Sequence, residues 1–356
     1  MKFPISASLA VLLAACGGSA APSAGPASVA PKAVASAGSA KPAVSAAAKP
    51  AASASAKPAV SGLTRVKAAY SQVSAAQGAL YAAIDNGFFA KYGLDVDLGQ
   101  VAGTQQVPAL QANELQFGTP GGNELVSSVL AGAPMVALAV SSNYMLQSLY
   151  GGKGVTDIKQ VEGKPIAITT AGSTSEAGAK LFLRHFGLDK KVQYQPAGTV
   201  AGVAAVLEKG DAAGGVTSPP TTIQLEKAGL KELVNGPKFE DPAVHAAVMV
   251  TRDYLKNNQD TVKRFLQGYV DGWRFAIDRV NEPAMVKTLA KWTKSDDATA
   301  KASYEFVVEA WARDRIPAVN QKAVENIMSI VDNPKAKEAK PADFYDNSLI
   351  EAVAKG

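Results

Sequence analysis

Apolar and polar residues alternate over residues 63–69 and again over Leu94-Asp95-Val96-Asp97-Leu98, the two-residue period of a strand with one buried face. Between these runs Leu80, Ala83, Ile84 and Phe88 recur at helical spacing. Residues 77–86 therefore predict a helix, and Gly87 is its stop. A further helix is predicted from residues 108–112, a strand over 115–118, a helix over 124–131 and an apolar strand over 135–140. The alternation then repeats. Strands are predicted over 165–169, 192–195 and 214–217, with helices over 175–186, 200–209 and 221–228. From Leu255 onward the period is helical, with stretches near 260–279, 283–293, 298–313 and 320–331.

Strands that alternate with helices predict an α/β fold with largely parallel sheets. Residues 63–356 exceed the usual size of a single core, so two lobes are expected.

Before residue 63 this periodicity is missing. Residues 17–62 contain only Ala, Ser, Pro, Gly, Lys and Val, and Lys-Pro recurs at 41, 49 and 57. Nothing there is large enough to offset the entropy of folding, and the prolines break helices. The segment is expected to be a disordered tether with a span on the order of 40 Å. Ahead of it, Met1-Lys2 precedes an apolar run over residues 5–15. A bilayer span needs roughly 20 apolar residues, so this run suits a secretory signal instead. It ends in Leu13-Ala14-Ala15-Cys16-Gly17, which resembles the lipobox of bacterial lipoproteins. That resemblance implies removal of residues 1–15, lipidation of Cys16 and a membrane-anchored, extracytoplasmic protein on the periplasmic or cell-surface side.

Charge sharpens this division. The chain has 36 Lys+Arg against 31 Asp+Glu, and residues 1–62 hold five lysines and no acid. The basicity belongs to the N-terminal segment, the remainder is neutral, and no nucleic-acid partner is expected. Cys16 is the single cysteine, and the two histidines, His185 and His245, are far apart in sequence. An intramolecular disulfide is excluded, and neither a metal site nor a cofactor is expected.

The run Gly87-Phe88-Phe89-Ala90-Lys91-Tyr92-Gly93-Leu94-Asp95-Val96 resembles a signature of solute-binding proteins for ABC importers, in the nitrate/sulfonate/taurine and thiamine-pyrimidine precursor branch. Ala109-Leu110, Phe117-Gly118, Gly132-Ala133-Pro134, Gly163-Lys164-Pro165-Ile166-Ala167 and Gly172-Ser173-Thr174-Ser175 follow in the family's order, and the likeness spans about 63–330. It implies a two-lobe periplasmic-binding-protein type II fold, each lobe a mostly parallel sheet flanked by helices, with a helical C-terminal region. Lobe one would comprise 63–139 and 246–356, and lobe two 140–245. The crossings near 139–142 and 242–250 would be hinges. It also implies a monomer that passes a small solute to a permease and its ATPase.

Open α/β sheets bind ligands at the carboxyl ends of their strands, where helix N-termini offer free N–H groups and partial positive charge. Five post-strand loops here are rich in glycine and small hydroxyl residues and hold no Lys or Arg. The candidate ligand residues are Tyr70, Ser71, Ser74, Thr104, Thr119, Gly121, Asn123, Ser142, Ser173, Thr174, Ser175 and Ser218. Each hydroxyl taken alone also suits ordinary helix capping. The ligand class stays open. Helix N-termini and hydroxyls suit sulfonate, nitrate or carboxylate, while Tyr70 and Tyr144 could stack on a heterocycle such as a pyrimidine. Glu124 and Glu176, if they face the cleft, would favour a ligand with donor or cationic groups. An enzyme of the thiamine-pyrimidine synthase kind is the rival class. Its cysteine-rich motif and site histidine have no counterpart here, and no nucleotide, hydrolase-elbow or zinc-protease motif is found.

Overall fold

The computed structural model of the protein describes residues 62–355. The expected signal peptide, Cys16 and the tether as far as Ser61 lie outside the described residues.

Ten strands follow in chain order: β1 (Thr64–Tyr70), β2 (Leu94–Gln100), β3 (Phe117–Thr119), β4 (Met135–Ser142), β5 (Ser148–Gly151), β6 (Pro165–Ile168), β7 (Gln193–Pro196), β8 (Gly214–Thr217), β9 (Glu232–Val234) and β10 (Ala246–Thr251). They form two five-stranded sheets, ordered β2-β1-β3-β10-β4 and β7-β6-β8-β5-β9. In the first sheet β10 runs against the other four strands, and in the second β5 does. Both exceptional strands are the first to follow a passage of the chain from one sheet to the other. The parallel register expected from alternating strands and helices holds for the β1–β3 and β6–β8 sets. The two reversed strands were not legible as such.

Helices fill the connections. In the first half these are α1 (Gly78–Asp85), α2 (Phe88–Lys91), α3 (Gly103–Gln111) and α4 (Gly122–Leu130), and around the second sheet α5 (Thr174–His185), α6 (Val200–Lys209) and α7 (Thr221–Lys227). The C-terminal part is helical, as its period predicts: α8 (Arg252–Asn257), α9 (Gln259–Ile277), α10 (Glu282–Thr293), α11 (Asp297–Arg313), α12 (Gln321–Met328) and α13 (Ser348–Lys355). Gly87 follows α1 with φ of 67°, a left-handed conformation that ends a helix at little steric cost. α3 begins at Gly103, five residues before Pro108, so the proline sits inside the helix. One backbone hydrogen bond is lost there, and burial of Gln106, Val107 and Leu110 holds the helix against the sheet.

The C-terminal helices complete the core around the first sheet. Phe265 of α9 stacks on Phe117 of β3 with ring centroids 3.7 Å apart and on Phe89 of α2 at 4.8 Å. Trp273, Tyr304 and Trp311 are fully buried with them. Phe89 is therefore a core residue. A second apolar cluster joins α4, β4 and β10 to Leu149, Ile166, Ile168 and Phe182 of the second sheet and its helices.

One expectation needs correction. Residues 139–142 belong to β4 and 246–250 to β10, and the two strands pair, with Ala246 opposite Ser142. A strand locked into a ladder is a poor place to absorb rotation. The chain crosses between sheets through 143–147, just after the first expected crossing, and through 235–245, which shares residues 242–245 with the second.

Candidate functional site

The ends of β1, β2, β6 and β7 open toward one cavity of about 220 Å³ between the two sheets. From the first-sheet side it is lined by Ser71, Gln72, Val73, Gln100, Ala102, Gly103 and Glu124. From the second it is lined by Gln147, Thr169, Thr170, Ser173, Thr174, Ser175, Gly198, Thr199 and Val200. The loops also touch directly across the cleft. Asn123 Nδ2 donates to the Gly172 carbonyl at 2.9 Å, and the Ala75 N–H donates to the Pro219 carbonyl at 3.1 Å.

Local chemistry explains how the second-sheet wall is shaped. β6 ends at Ile168, and the Thr169 N–H donates to Ser175 Oγ at 2.8 Å. Ser173 caps α5 by accepting from the Glu176 N–H. The hydroxyls of Thr169, Ser173 and Ser175 lie within 2.9–3.1 Å of one another. Thr199 caps α6 by accepting from the Gly202 N–H at 3.0 Å. The first turns of α5 and α6 thus reach the cavity with backbone N–H groups that have no intrahelical partner.

The two acids in first turns are separated by the fold. Glu176 turns away, accepting from the Gly172 N–H at 2.5 Å and pairing with Lys180 at 2.9 Å. Glu124 faces the cavity, 6% exposed, and its Oε2 has no hydrogen-bond partner. Burial pushes its carboxyl up to about 7, against the pull of the backbone N–H groups of Glu124, Gly121 and Thr174 and of the Thr174 hydroxyl. Gly103 and Gly121 make room for it. A Cβ on either would collide with a Glu124 oxygen, and one on Gly121 would also strike Thr174 Oγ1. Gln147 is 1% exposed, and neither its Nε2 nor its Oε1 has a partner. Among the described residues that line the cavity, Glu124 is the only ionisable one, and none is aromatic.

Of the candidate residues, Ser71, Ser173, Thr174 and Ser175 line this cavity. The others do not line it, although several stand beside it. Tyr70 packs edge-on against Tyr81 and Trp292, and Ser74 Oγ accepts from the Ala76 N–H. Thr119 Oγ1 sits between the Ala69 carbonyl at 3.2 Å and Gln77 Oε1 at 3.3 Å. Ser142 Oγ accepts from the Tyr144 N–H, and Ser218 Oγ accepts from Gln72 Nε2 at 3.5 Å. Gly121 and Asn123 stand at the start of α4, where Asn123 reaches across to Gly172. Thr104 lines an adjoining groove of about 310 Å³ that also reaches Glu124. The ring of Tyr144 is covered by the Arg313 guanidinium at 3.3 Å. Sequence reasoning missed Gln100, Gln147, Thr169, Thr170, Gly198 and Thr199. Gly198 and Thr199 follow β7 and carry the same glycine-and-hydroxyl signal as the other post-strand loops. Gln147 precedes its strand. Because β5 runs backward, its starting end lies with the finishing ends of its neighbours.

Among the described residues, no cluster of three His, Cys, Asp or Glu side chains could hold a metal ion, and no helix is long and apolar enough to cross a membrane.

A sequence profile of the family described as NMT1/THI5 like matches residues 75–282. Among curated proteins none matches the chain. Solved structures do. One is the ligand-binding component of an ABC-type import system from Staphylococcus aureus, with zinc bound. It is 15% identical, with a TM-score of 0.66 over 82% of this chain and 100% of that one. A second is a putative sulfonate ABC transporter's periplasmic sulfonate-binding protein from Methylobacillus flagellatus KT, 17% identical, with a TM-score of 0.63 over 83% and 95%. A third is the periplasmic nitrate-binding protein of Synechocystis PCC 6803, 15% identical, with a TM-score of 0.63 over 82% and 89%. At these identities the likeness establishes the two-lobe α/β fold.

Proposed function

This chain belongs to the NMT1/THI5-like family, and on that premise we propose that it is an extracytoplasmic solute-binding protein of an ABC importer. It captures a small solute between its two sheets and delivers it to a permease driven by a cytoplasmic ATPase. The observation that carries this reading is the cavity between the sheets, lined from both sides by loops that also hydrogen-bond across the cleft. A site divided between two bodies closes on its ligand by rigid rotation. At about 220 Å³ it is smaller than drug-sized sites, which run to roughly 300–1,000 Å³, so the solute is small. Lipidation at Cys16, with the N-terminal segment as a leash, would keep the binding body near the permease.

The resemblance names two solute classes, sulfonate- or nitrate-like anions and thiamine-pyrimidine-like heterocycles. The free N–H groups of α5 and α6 favour an acceptor on the solute. Catalysis is the rival reading. Among the described residues the lining holds no thiol, imidazole or amine, so turnover would have to use the Glu124 carboxyl and the Ser and Thr hydroxyls. Thermal melts of the chain carrying Cys16→Ser against small sulfonates, nitrate, amino acids and hydroxymethylpyrimidine test the reading. A raised Tm with one solute class is expected. Turnover of a solute with no shift in Tm would overturn it.

A further inference from the structure

Two buried polar side chains in the cleft have unmet hydrogen-bonding capacity. Glu124 Oε2 lacks a partner on the first-sheet side, and both amide atoms of Gln147 lack one on the other. Buried polar groups are nearly always paired, and an unpaired one in a cavity calls for a ligand or water to complete it. Gln147 can be met by a donor or an acceptor, whereas a carboxylate accepts only.

The remaining lining narrows the chemistry. Among the described residues around the cavity there is no Lys, Arg or His to neutralise a second negative charge beside Glu124, and no aromatic ring on which a planar heterocycle could stack. The two tyrosines that sequence reasoning offered for stacking are engaged elsewhere, Tyr70 with Tyr81 and Trp292, and Tyr144 under Arg313. The N-termini of α5 and α6 still accommodate an oxygen acceptor at the other end of the solute.

Building on the binding reading above, we propose that Glu124 and Gln147 form a donor-reading subsite and that the solute is a small aliphatic molecule whose amino or amide N–H group enters it. At pH 7.5 a sulfonate, nitrate or carboxylate without such a donor either brings two negative charges together or has to keep a proton on Glu124.

Calorimetric titration at pH 7.5 with a three-carbon series tests this. β-Alanine, propanamide and propylamine carry N–H donors, while propanoate and propane-1-sulfonate do not. Donor-bearing members should bind at least tenfold tighter than the donorless ones. Glu124→Gln should remove most of the preference for the two amines while retaining a cooperative melt. Gln147→Met, which keeps the size and removes the amide, should weaken propanamide. Tighter binding of the donorless anions overturns the donor assignment, and tighter binding of cytosine, a flat molecule with N–H donors of its own, overturns the aliphatic assignment; either leaves the solute-binding reading standing. Unchanged amine affinity in a folded Glu124→Gln variant also overturns the assignment. Absence of binding by every probe overturns both.

Discussion

Asn123 and Gly172 meet across the cleft: the Asn123 side-chain amide donates to the Gly172 carbonyl at 2.9 Å, tying the first turn of α4 to the loop before α5. A bond between the two halves of a binding site exists only when the halves are together, so it favours the closed form. Asn123→Ala should weaken solute binding by about fivefold, corresponding to a net ~1 kcal/mol for one hydrogen bond. The Tm of the solute-free protein should change little. Titration and a thermal melt on the same sample check this. A fall in the free protein's Tm with unchanged affinity would mean that the bond serves the fold alone.

Gly121 tests the same closure sterically. Its φ of −75° and ψ of 169° are open to any residue, so alanine introduces no backbone strain. Its Cβ would nevertheless collide with Thr174 Oγ1 and crowd Glu124 Oε2. Gly121→Ala should lower affinity at least tenfold and leave circular dichroism and the unfolding midpoint near wild type. Wild-type affinity in this variant would show that the α4 and α5 termini need not approach so closely.

Burial of Glu124 gives stability a pH dependence. Its carboxyl rises from 4.5 to about 7 on folding, so the native state holds a proton that the unfolded chain releases. Stability from this group is present below about pH 4.5 and is lost as pH rises through about 7, on the order of 3 kcal/mol in total. Because His245 titrates with the opposite sign, the test is a comparison: urea unfolding of solute-free wild type and Glu124→Gln at pH 5 and pH 8 should show the variant gaining stability relative to wild type as pH rises. An identical pH profile in the variant would place the carboxyl in water.

His245 contributes with the opposite sign. Its Nδ1 accepts from the Leu146 N–H at 3.2 Å, joining one sheet-to-sheet segment to the other. Full burial holds the imidazole neutral and pushes its pKa from 6.5 down to about 3. The unfolded chain takes up this proton first, so the contribution is present above pH 6.5 and is lost as pH falls toward 3. His245→Asn retains an acceptor without a titrating ring. Relative to wild type it should lose less stability between pH 7 and pH 4. An equal acid response would assign acid sensitivity to other groups.

Which features were legible follows from how local their causes are. The periods of α6 and β8 are complete within Val200–Lys209 and Gly214–Thr217, and the expected bounds coincide with those observed. β10 is buried over Ala246–Val250, a short apolar run with no alternation, and its partners β3 and β4 are more than a hundred residues earlier in the chain. Pro108 reads locally as a helix start, yet packing of Val107 and Leu110 extends α3 ahead of it. In the site, the hydroxyls of Ser71 and Ser173–Ser175 could be found because they follow strands. Gln147 could not, because only the reversal of β5 carries a pre-strand residue to that end of the sheet.

The most direct test of the cleft as the solute site is a paired calorimetric titration of wild type and Gly121→Ala with the tightest-binding member of the three-carbon series. One-to-one binding by wild type, weakened at least tenfold in a folded variant, is the expected result. Equal affinity in the two proteins would contradict it, as would no heat of binding in wild type with any member.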